Sequence, residues 1–306
     1  MAAISTHGLT KRYGDLTAVD DLTFEVGEGE VYALLGHNGA GKTTAVEILE
    51  GYRTRTSGDV TVLGQDPGTA GREFRDRIGI VLQTSGVEHE LTVAEVVDFY
   101  GCCYSRRRDV REVVELVGLG EKLDQRIRTL SGGQRRRLDL AMGIVGRPDL
   151  LFLDEPTTGF DPAARRNAWE LVRELGSGGT TVLLTTHYLD EAEHLADRVG
   201  VLVSGRLVAE GTPDELIGGT RATTVRFEVP AGVDAADVLA SVPAGATVRN
   251  GRVEFTTVTP TADVNAVTGW ALQRGIELAG LVVARPTLED VFLELAGSDR
   301  SPEMAP

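Results

Sequence analysis

Hydrophobic and polar positions in the first thirty residues alternate in short runs, Ile4 to Leu9 and Leu22 to Val26, cut by Gly8, Gly14, Gly27 and Gly29. Alternation at a period of two, bounded by glycine, predicts short strands and a small antiparallel β layer. Val31-Tyr32-Ala33-Leu34-Leu35 is apolar throughout, the pattern of a strand covered on both faces. A glycine-rich loop follows, then a helical stretch from Lys42 that stops near Gly51. Between Leu91 and Arg128 the pattern is helical and opens on Thr92-Val93-Ala94-Glu95, a capping box in which Thr92 caps the helix and Glu95 reaches back. This predicts a helical subdomain over about residues 88–140. Strands and helices then alternate: Asp149 to Leu153, helix Pro162 to Leu175, strand Thr181 to Thr185, helix Leu189 to Asp197. Such alternation predicts a parallel sheet wrapped by helices.

Residues 200–209 read as a hairpin turning at Ser204-Gly205, and Thr212-Pro213-Asp214-Glu215 as a capped helix with proline in its first turn, ended by Gly218-Gly219. From Thr223 a second pattern begins. It runs strand to Val229, helix Ala235 to Val242, hairpin across Asn250-Gly251, helix Ala262 to Arg274, strand Ile276 to Ala284 and a helix opening at Thr287. The order βαββαβ is that of a ferredoxin-like unit. The expected organisation is an α/β domain over 1–217, a small α+β domain over 218–298 and a tail over 299–306.

A chain of 306 residues suits one large and one small domain. Its 42% hydrophobic and 25% charged content is that of an ordinary globular protein. No apolar run approaches the roughly 20 residues of a membrane-spanning helix, and the N-terminus lacks a secretory pattern, so a cytosolic location is expected. Adjacent Cys102 and Cys103 cannot build a disulfide framework, and are expected to be packing residues. A formal charge of −15 argues against general nucleic-acid binding. The exceptions, Arg106 to Arg108 and Arg135 to Arg137, are expected to be solvated helix faces.

Gly36-His37-Asn38-Gly39-Ala40-Gly41-Lys42-Thr43 fits G-x-x-x-x-G-K-[ST]. Glycines let backbone N–H groups close around phosphates, Lys42 reaches the β and γ groups, and Thr43 offers an oxygen to Mg²⁺. With Thr44 in the same turn, the helix start adds its dipole and unpaired N–H groups. The strand before and the helix after supply the context such a loop needs. Leu150 to Leu153 is a candidate buried strand that delivers Asp154 and Glu155 at the edge of a parallel sheet, where nucleotides bind. Asp154 is a candidate for holding Mg²⁺ through a water, and Glu155 for general base on the attacking water.

In Leu130-Ser131-Gly132-Gly133-Gln134, Ser131 can cap a helix while Gly132 and Gly133 let the backbone approach a phosphate closely. This segment, with the two above, makes residues 3–215 resemble the nucleotide-binding subunits of ABC transporters, of P-loop NTPase fold. The resemblance implies ATP hydrolysis with Mg²⁺, a dimer in which Ser131 to Gln134 close on the nucleotide of the other subunit, and a membrane permease as partner. It also implies that Tyr13 stacks on adenine, that Gln83 contacts Mg²⁺ and the attacking water, and that His187 contacts the γ-phosphate. Asp161 falls in the loop that crosses to the partner site. Departures are Phe160, where leucine is usual, and His37, where proline is common.

The ending Arg285-Pro286-Thr287-Leu288-Glu289-Asp290-Val291-Phe292-Leu293-Glu294-Leu295 is similar to that of daunorubicin/doxorubicin-type resistance exporter ATPases. By residue pattern alone it is a capped amphipathic helix with Leu288, Val291, Phe292 and Leu295 on one face. The expected function is that of a drug-export ATPase, peripheral on the cytoplasmic face of the membrane. The rival reading is a soluble ABC ATPase acting on ribosomes or DNA, against which stand a single cassette and no coiled-coil insertion.

Overall fold

A computed structural model describes residues 2–82, 90–218, 223–284 and 287–292. The chain divides into two compact units, Met1–Pro213 and Asp214–Pro306. The first opens with β1 (Ala2–Tyr13), β2 (Leu16–Gly27), β3 (Val31–Leu35), α1 (Lys42–Leu49), β4 (Ser57–Val62), the one-turn α2 (Arg72–Arg75) and β5 (Ile78–Val81). Then come α3 (Val93–Gly101), α4 (Val110–Leu116) and α5 (Gly132–Ile144). β6 (Leu150–Asp154), α6 (Pro162–Ser177), β7 (Thr181–Thr186), α7 (Leu189–Leu195), β8 (Arg198–Val203) and β9 (Arg206–Gly211) complete it. A short α8 (Pro213–Gly218) spans the junction.

The antiparallel layer has the order β2-β1-β4. Its first two strands run longer than the apolar pattern suggests, because shifts in register on either side of Gly8, which takes a φ of 62°, let the ladder continue past the glycine. The second sheet has the order β5-β6-β7-β3-β8-β9, parallel except for β9. Every residue of β3, β6 and β7 is buried, as continuous apolar runs require of strands covered on both faces. Between the two sheets one core joins Ile4, Leu22 and Phe24 to Ile48 and Leu49 of α1 and to Phe152 and Leu183.

The helical part holds the predicted capping box: Thr92 accepts from the Glu95 N–H and Glu95 from the Thr92 N–H. It is interrupted more often than the pattern suggests. Gly118, at a φ of 67°, stops α4, and 3₁₀ turns at Gly120–Lys122 and Ile127–Thr129 carry the chain to α5. Cys102 and Cys103 are exposed where α3 ends, so they are not packing residues.

In the second unit β10 (Thr223–Glu228), α9 (Ala235–Ala240), β11 (Thr247–Arg249), β12 (Arg252–Thr257), α10 (Pro260–Gln273) and β13 (Val282–Ala284) give the βαββαβ order with an antiparallel sheet β11-β12-β10-β13. Val225, Phe227, Val253 and Phe255 alternate onto one face and pack with Val238 of α9 and Val267 of α10. Asn250 and Gly251, both at positive φ, make the predicted hairpin turn. The last strand is shorter than Ile276 to Ala284, because Gly275 and Gly280 take left-handed backbone. Beyond it Thr287 and Asp290 cap each other's N–H groups, and Leu288 and Val291 are buried; Leu295 lies outside the described residues.

Each unit holds one of the two tryptophans, Trp169 and Trp270, so Trp270→Phe leaves fluorescence that reports on the first unit. In that background Phe152→Ala is expected to lower stability by about 3–5 kcal/mol in urea unfolding. Exposed Leu272→Ala should leave the transition unmoved.

Candidate functional site

Strand register assembles the site. Leu35 of β3 lies opposite Thr186 of β7, and Asp154 of β6 opposite Thr185. Gly36, Glu155 and His187, which follow at the C-terminal strand ends, therefore stand in one row, at the edge of a parallel sheet where ligands bind. The Gly36 N–H donates to the Thr186 carbonyl at 3.3 Å, and the Gly205 N–H to the Ala40 carbonyl at 3.0 Å, so the loop is tied to β7 and to the β8–β9 turn. His37 is exposed, its Nδ1 2.7 Å from the Asn38 carbonyl.

Gly41 caps α1 with a φ of 102°. A Cβ there would lie 2.2 Å from the Ala18 carbonyl oxygen of β2, so both backbone and space demand glycine. No side chain caps α1, and the N–H groups of its first turn, which includes Thr44, are left without side-chain competition for an anion. Buried Lys42 donates from Nζ to the carbonyls of Gly36 at 2.7 Å and His37 at 3.2 Å, with Glu155 Oε1 3.8 Å away. Burial pulls its ammonium below the ordinary lysine range, while Glu155 and Asp154 oppose that shift. The loop thus keeps a cation at its centre, held by weak neutral acceptors that a phosphate can replace.

Thr43 Oγ1 donates to Asp154 Oδ2 at 3.3 Å, and the Thr185 hydroxyl donates to Asp154 Oδ1. A hydroxyl beside a carboxylate is an oxygen-only donor pair that fits a hard divalent cation sharing its shell with phosphates and water. Glu155 takes a φ of 49°, left-handed for a non-glycine and costing roughly 1–3 kcal/mol. Its N–H donates to the Thr185 carbonyl at 3.1 Å, and its Oε1 lies 3.0 Å from His187 Nδ1. Two residues that stand as separate words in the sequence are a hydrogen-bonded pair.

Other expected residues lie elsewhere. Tyr13 ends β1 with an exposed ring, flanked by Lys11 at 5.0 Å and Arg53 at 5.5 Å from the centroid. Ser131 caps α5 in a capping box with Gln134. Neither Gly132 nor Gly133 has a positive φ, and a Cβ on either would meet nothing within 4 Å, so the fold of this chain does not require glycine there. Asp161 caps α6, accepting from the N–H groups of Ala163 and Ala164 at 2.9 Å each, bonds that hold its carboxyl below the ordinary range. Phe160 is buried. Gln83 lies outside the described residues.

Among the described residues the buried charges of Glu50, Arg136, Asp139 and Glu191 escape the sequence reading. Arg136, expected on a solvated face, is only 6% exposed. It shares the inner stripe of α5 with Leu140 and Gly143, a helical spacing that marks it out from Arg135. Its Nε donates to the Pro156 carbonyl at 3.0 Å, and its Nη2 to those of Asp154 at 2.8 Å and Glu155 at 3.0 Å. Glu191 of α7 is fully buried and accepts from the Thr157 hydroxyl at 2.8 Å and Trp169 Nε1 at 3.2 Å. Burial pushes its carboxyl up. Its neighbours in sequence, Asp190 and Glu193, carry no pattern that singles it out.

Residues 19–158 match the model of the ABC transporter family, and residues 223–287 that of the ABC transporter domain-containing protein-like C-terminal domain. The daunorubicin resistance ATP-binding protein DrrA3 of Streptomyces coeruleorubidus is 42% identical over 309 residues, 97% of each chain. The daunorubicin/doxorubicin resistance ATP-binding protein DrrA of Streptomyces peucetius is 38% identical over 321 residues, 99% of this chain and 96% of that one. A Nod factor export ATP-binding protein I of Rhizobium meliloti is 45% identical but covers 70% of this chain and 66% of its own. Among solved structures, an ATP-binding subunit of an ABC transporter superposes with a TM-score of 0.65 at 26% identity, covering 71% of this chain and 92% of that chain.

Beside the row, Glu50 at the end of α1 is buried at a cavity of about 650 Å³ lined also by Tyr52, Phe74, Val81 and Met142. Burial, then the charges of Asp154 and Glu47, raise its pKa from 4.5 to about 8. Between those values the folded protein holds a proton that the unfolded chain has released, so this group's contribution to stability falls as pH rises through the window. Glu50→Gln is expected to flatten the slope and to gain roughly 2–4 kcal/mol at pH 8 with little change at pH 4.5. Urea unfolding at the two pH values measures this, and an equal gain at both contradicts the assignment.

Proposed function

This chain belongs to the ABC transporter ATP-binding family, and from that premise we propose that it drives export of a drug, antibiotic or similar compound through a separate membrane permease. It is an ATPase, and ATP is its substrate. The observation that carries the export reading is likeness across both units, 97% of each chain, to a protein named for daunorubicin resistance. Among the described residues no helix is long and apolar enough to cross a membrane, consistent with a subunit that docks on the cytoplasmic face of a permease.

The loop from Gly36 to Thr43 with the start of α1 binds the phosphates, Lys42 leaving its carbonyl partners for them. Thr43 and Asp154 hold Mg²⁺, with Gln83 a further candidate; when bound, the ion neutralises phosphate charge. Tyr13 offers its open ring to the adenine. Glu155 takes the proton of the attacking water on a carboxylate oxygen, and His187 orients that carboxylate from Nδ1 while reaching toward the γ-phosphate.

Ser131 to Gln134 complete the site of a second copy, as does the loop that ends at Asp161. Gly132 and Gly133 support this, because glycine in a first helical turn costs stability and nothing among the described residues requires it. A backbone that must approach a neighbour's phosphate does.

Glu155→Gln should bind ATP with parental affinity, accumulate as ATP-bound dimer and turn over about 10²–10³ times more slowly; near-parental phosphate release would remove Glu155 from its role. The shared site is tested with Lys42→Ala in one copy and Ser131→Ala in the other. Both homodimers should be inactive, whereas the mixed dimer, with both lesions in one site, should keep about half the parental single-turnover amplitude. A mixed dimer as inactive as the homodimers would mean that each site is built within one chain.

A further inference from the structure

Arg136 has no place in the reading above, yet it grips the backbone that carries the general base. The three consecutive carbonyls of Asp154, Glu155 and Pro156 all accept from this one guanidinium, at 2.8, 3.0 and 3.0 Å. Its Nη1 also donates to the carbonyl of Leu82, the residue that follows β5, and Asp139 one turn along α5 lies 3.7 Å away. A guanidinium is a rigid planar fork, so three successive bonds to it fix the tilt of three successive peptide planes. The middle one belongs to Glu155, the residue held at a left-handed φ of 49°.

A second buried contact holds the same stretch. Thr157, buried, donates its hydroxyl to Glu191 Oε1, which also accepts from Trp169 of α6. Residues 154–157 are therefore held both by a buried cation from α5 and by a buried carboxyl from α7. The first of these helices begins at Ser131, and the second follows His187. The strained backbone at Glu155 persists because both neighbours define it.

We infer that Arg136 is a positioning residue for hydrolysis: it sets the direction of the Glu155 carboxylate and ties that direction to the placement of α5. The inference rests on Glu155 as general base. It assigns Arg136 an effect on the chemical step and none on nucleotide binding, since its donors reach main-chain carbonyls at the ends of β5 and β6, while Lys42 bonds to those of Gly36 and His37 in the loop after β3. Lysine at this position keeps a positive charge and three donors, but they radiate from one nitrogen on a flexible stem and cannot reproduce the planar fork that spans the carbonyls from Asp154 to Pro156.

The test uses the full chain with Arg136→Lys and Arg136→Met, measuring ATP turnover, equilibrium affinity for ATP with Mg²⁺, and thermal midpoint. Both variants should bind ATP within about threefold of the parent and turn over at least about tenfold more slowly, as misplacement of a catalytic group by a fraction of an ångström requires. If the methionine variant does not fold, the lysine variant decides. Parental turnover in Arg136→Lys overturns the inference, as does a loss of turnover matched by an equal loss of affinity, which is the mark of a structural residue. Glu155→Gln measured alongside separates the two readings. An inactive Glu155→Gln with a fully active Arg136→Lys removes only the positioning role, and an active Glu155→Gln removes the premise for both.

Discussion

The site depends on parallel pairing among β3, β6 and β7. Hydrogen bonds between these strands put Leu35 beside Thr186 and Thr185 beside Asp154, and everything chemical hangs from the next residue along each strand. Because the three strands are buried on both faces, a slip of one residue would turn buried side chains out of a packed core, so the row of Gly36, Glu155 and His187 is fixed by burial of residues such as Leu34, Phe152 and Leu183. The antiparallel layer serves the same end, its Ala18 carbonyl packing against Gly41, where a side chain does not fit.

Carboxylates outnumber ammonium within the row. One buried ammonium, Lys42, faces the carboxylates of Asp154 and Glu155, and His187 bonds to the second of these. A polyanion entering this space would meet more negative charge than Lys42 offsets, and a divalent ion at the Thr43–Asp154 pair would supply the missing cation. Arg136 does not help with that deficit, since its donors face carbonyls.

Much of this was legible in the residues. Apolar runs marked β3, β6 and β7, and residue pattern marked the phosphate loop, Asp154 and Glu155 as candidates, whereas His187 came only from the resemblance to a known family. Capping chemistry located the starts of α3 and α5 at Thr92 and Ser131. Less legible was the region between Gly51 and Leu91, where β4, α2 and β5 are too short for a period of two to be told from one of 3.6. The bond between His187 and Glu155 joins residues 32 positions apart and follows only from strand register. Arg136 was misread for a different reason: a run of three arginines looks uniformly solvated, whereas a helix turns one of them inward. Cys102 and Cys103 were misread in the opposite sense, because burial tendency means little at the end of a short helix.

The two glycines that open α5 have a kinetic consequence. If each site is completed by a neighbour, as proposed, a solitary chain is half an enzyme, and its rate at low concentration would scale with encounters between copies. Two chains seated side by side on one membrane assembly would meet instead at an effective concentration in the millimolar range, set by tethering and independent of abundance. A helix start that stays bare in the isolated chain then acts as a safeguard, reserving fuel consumption for chains already mounted on a transporter.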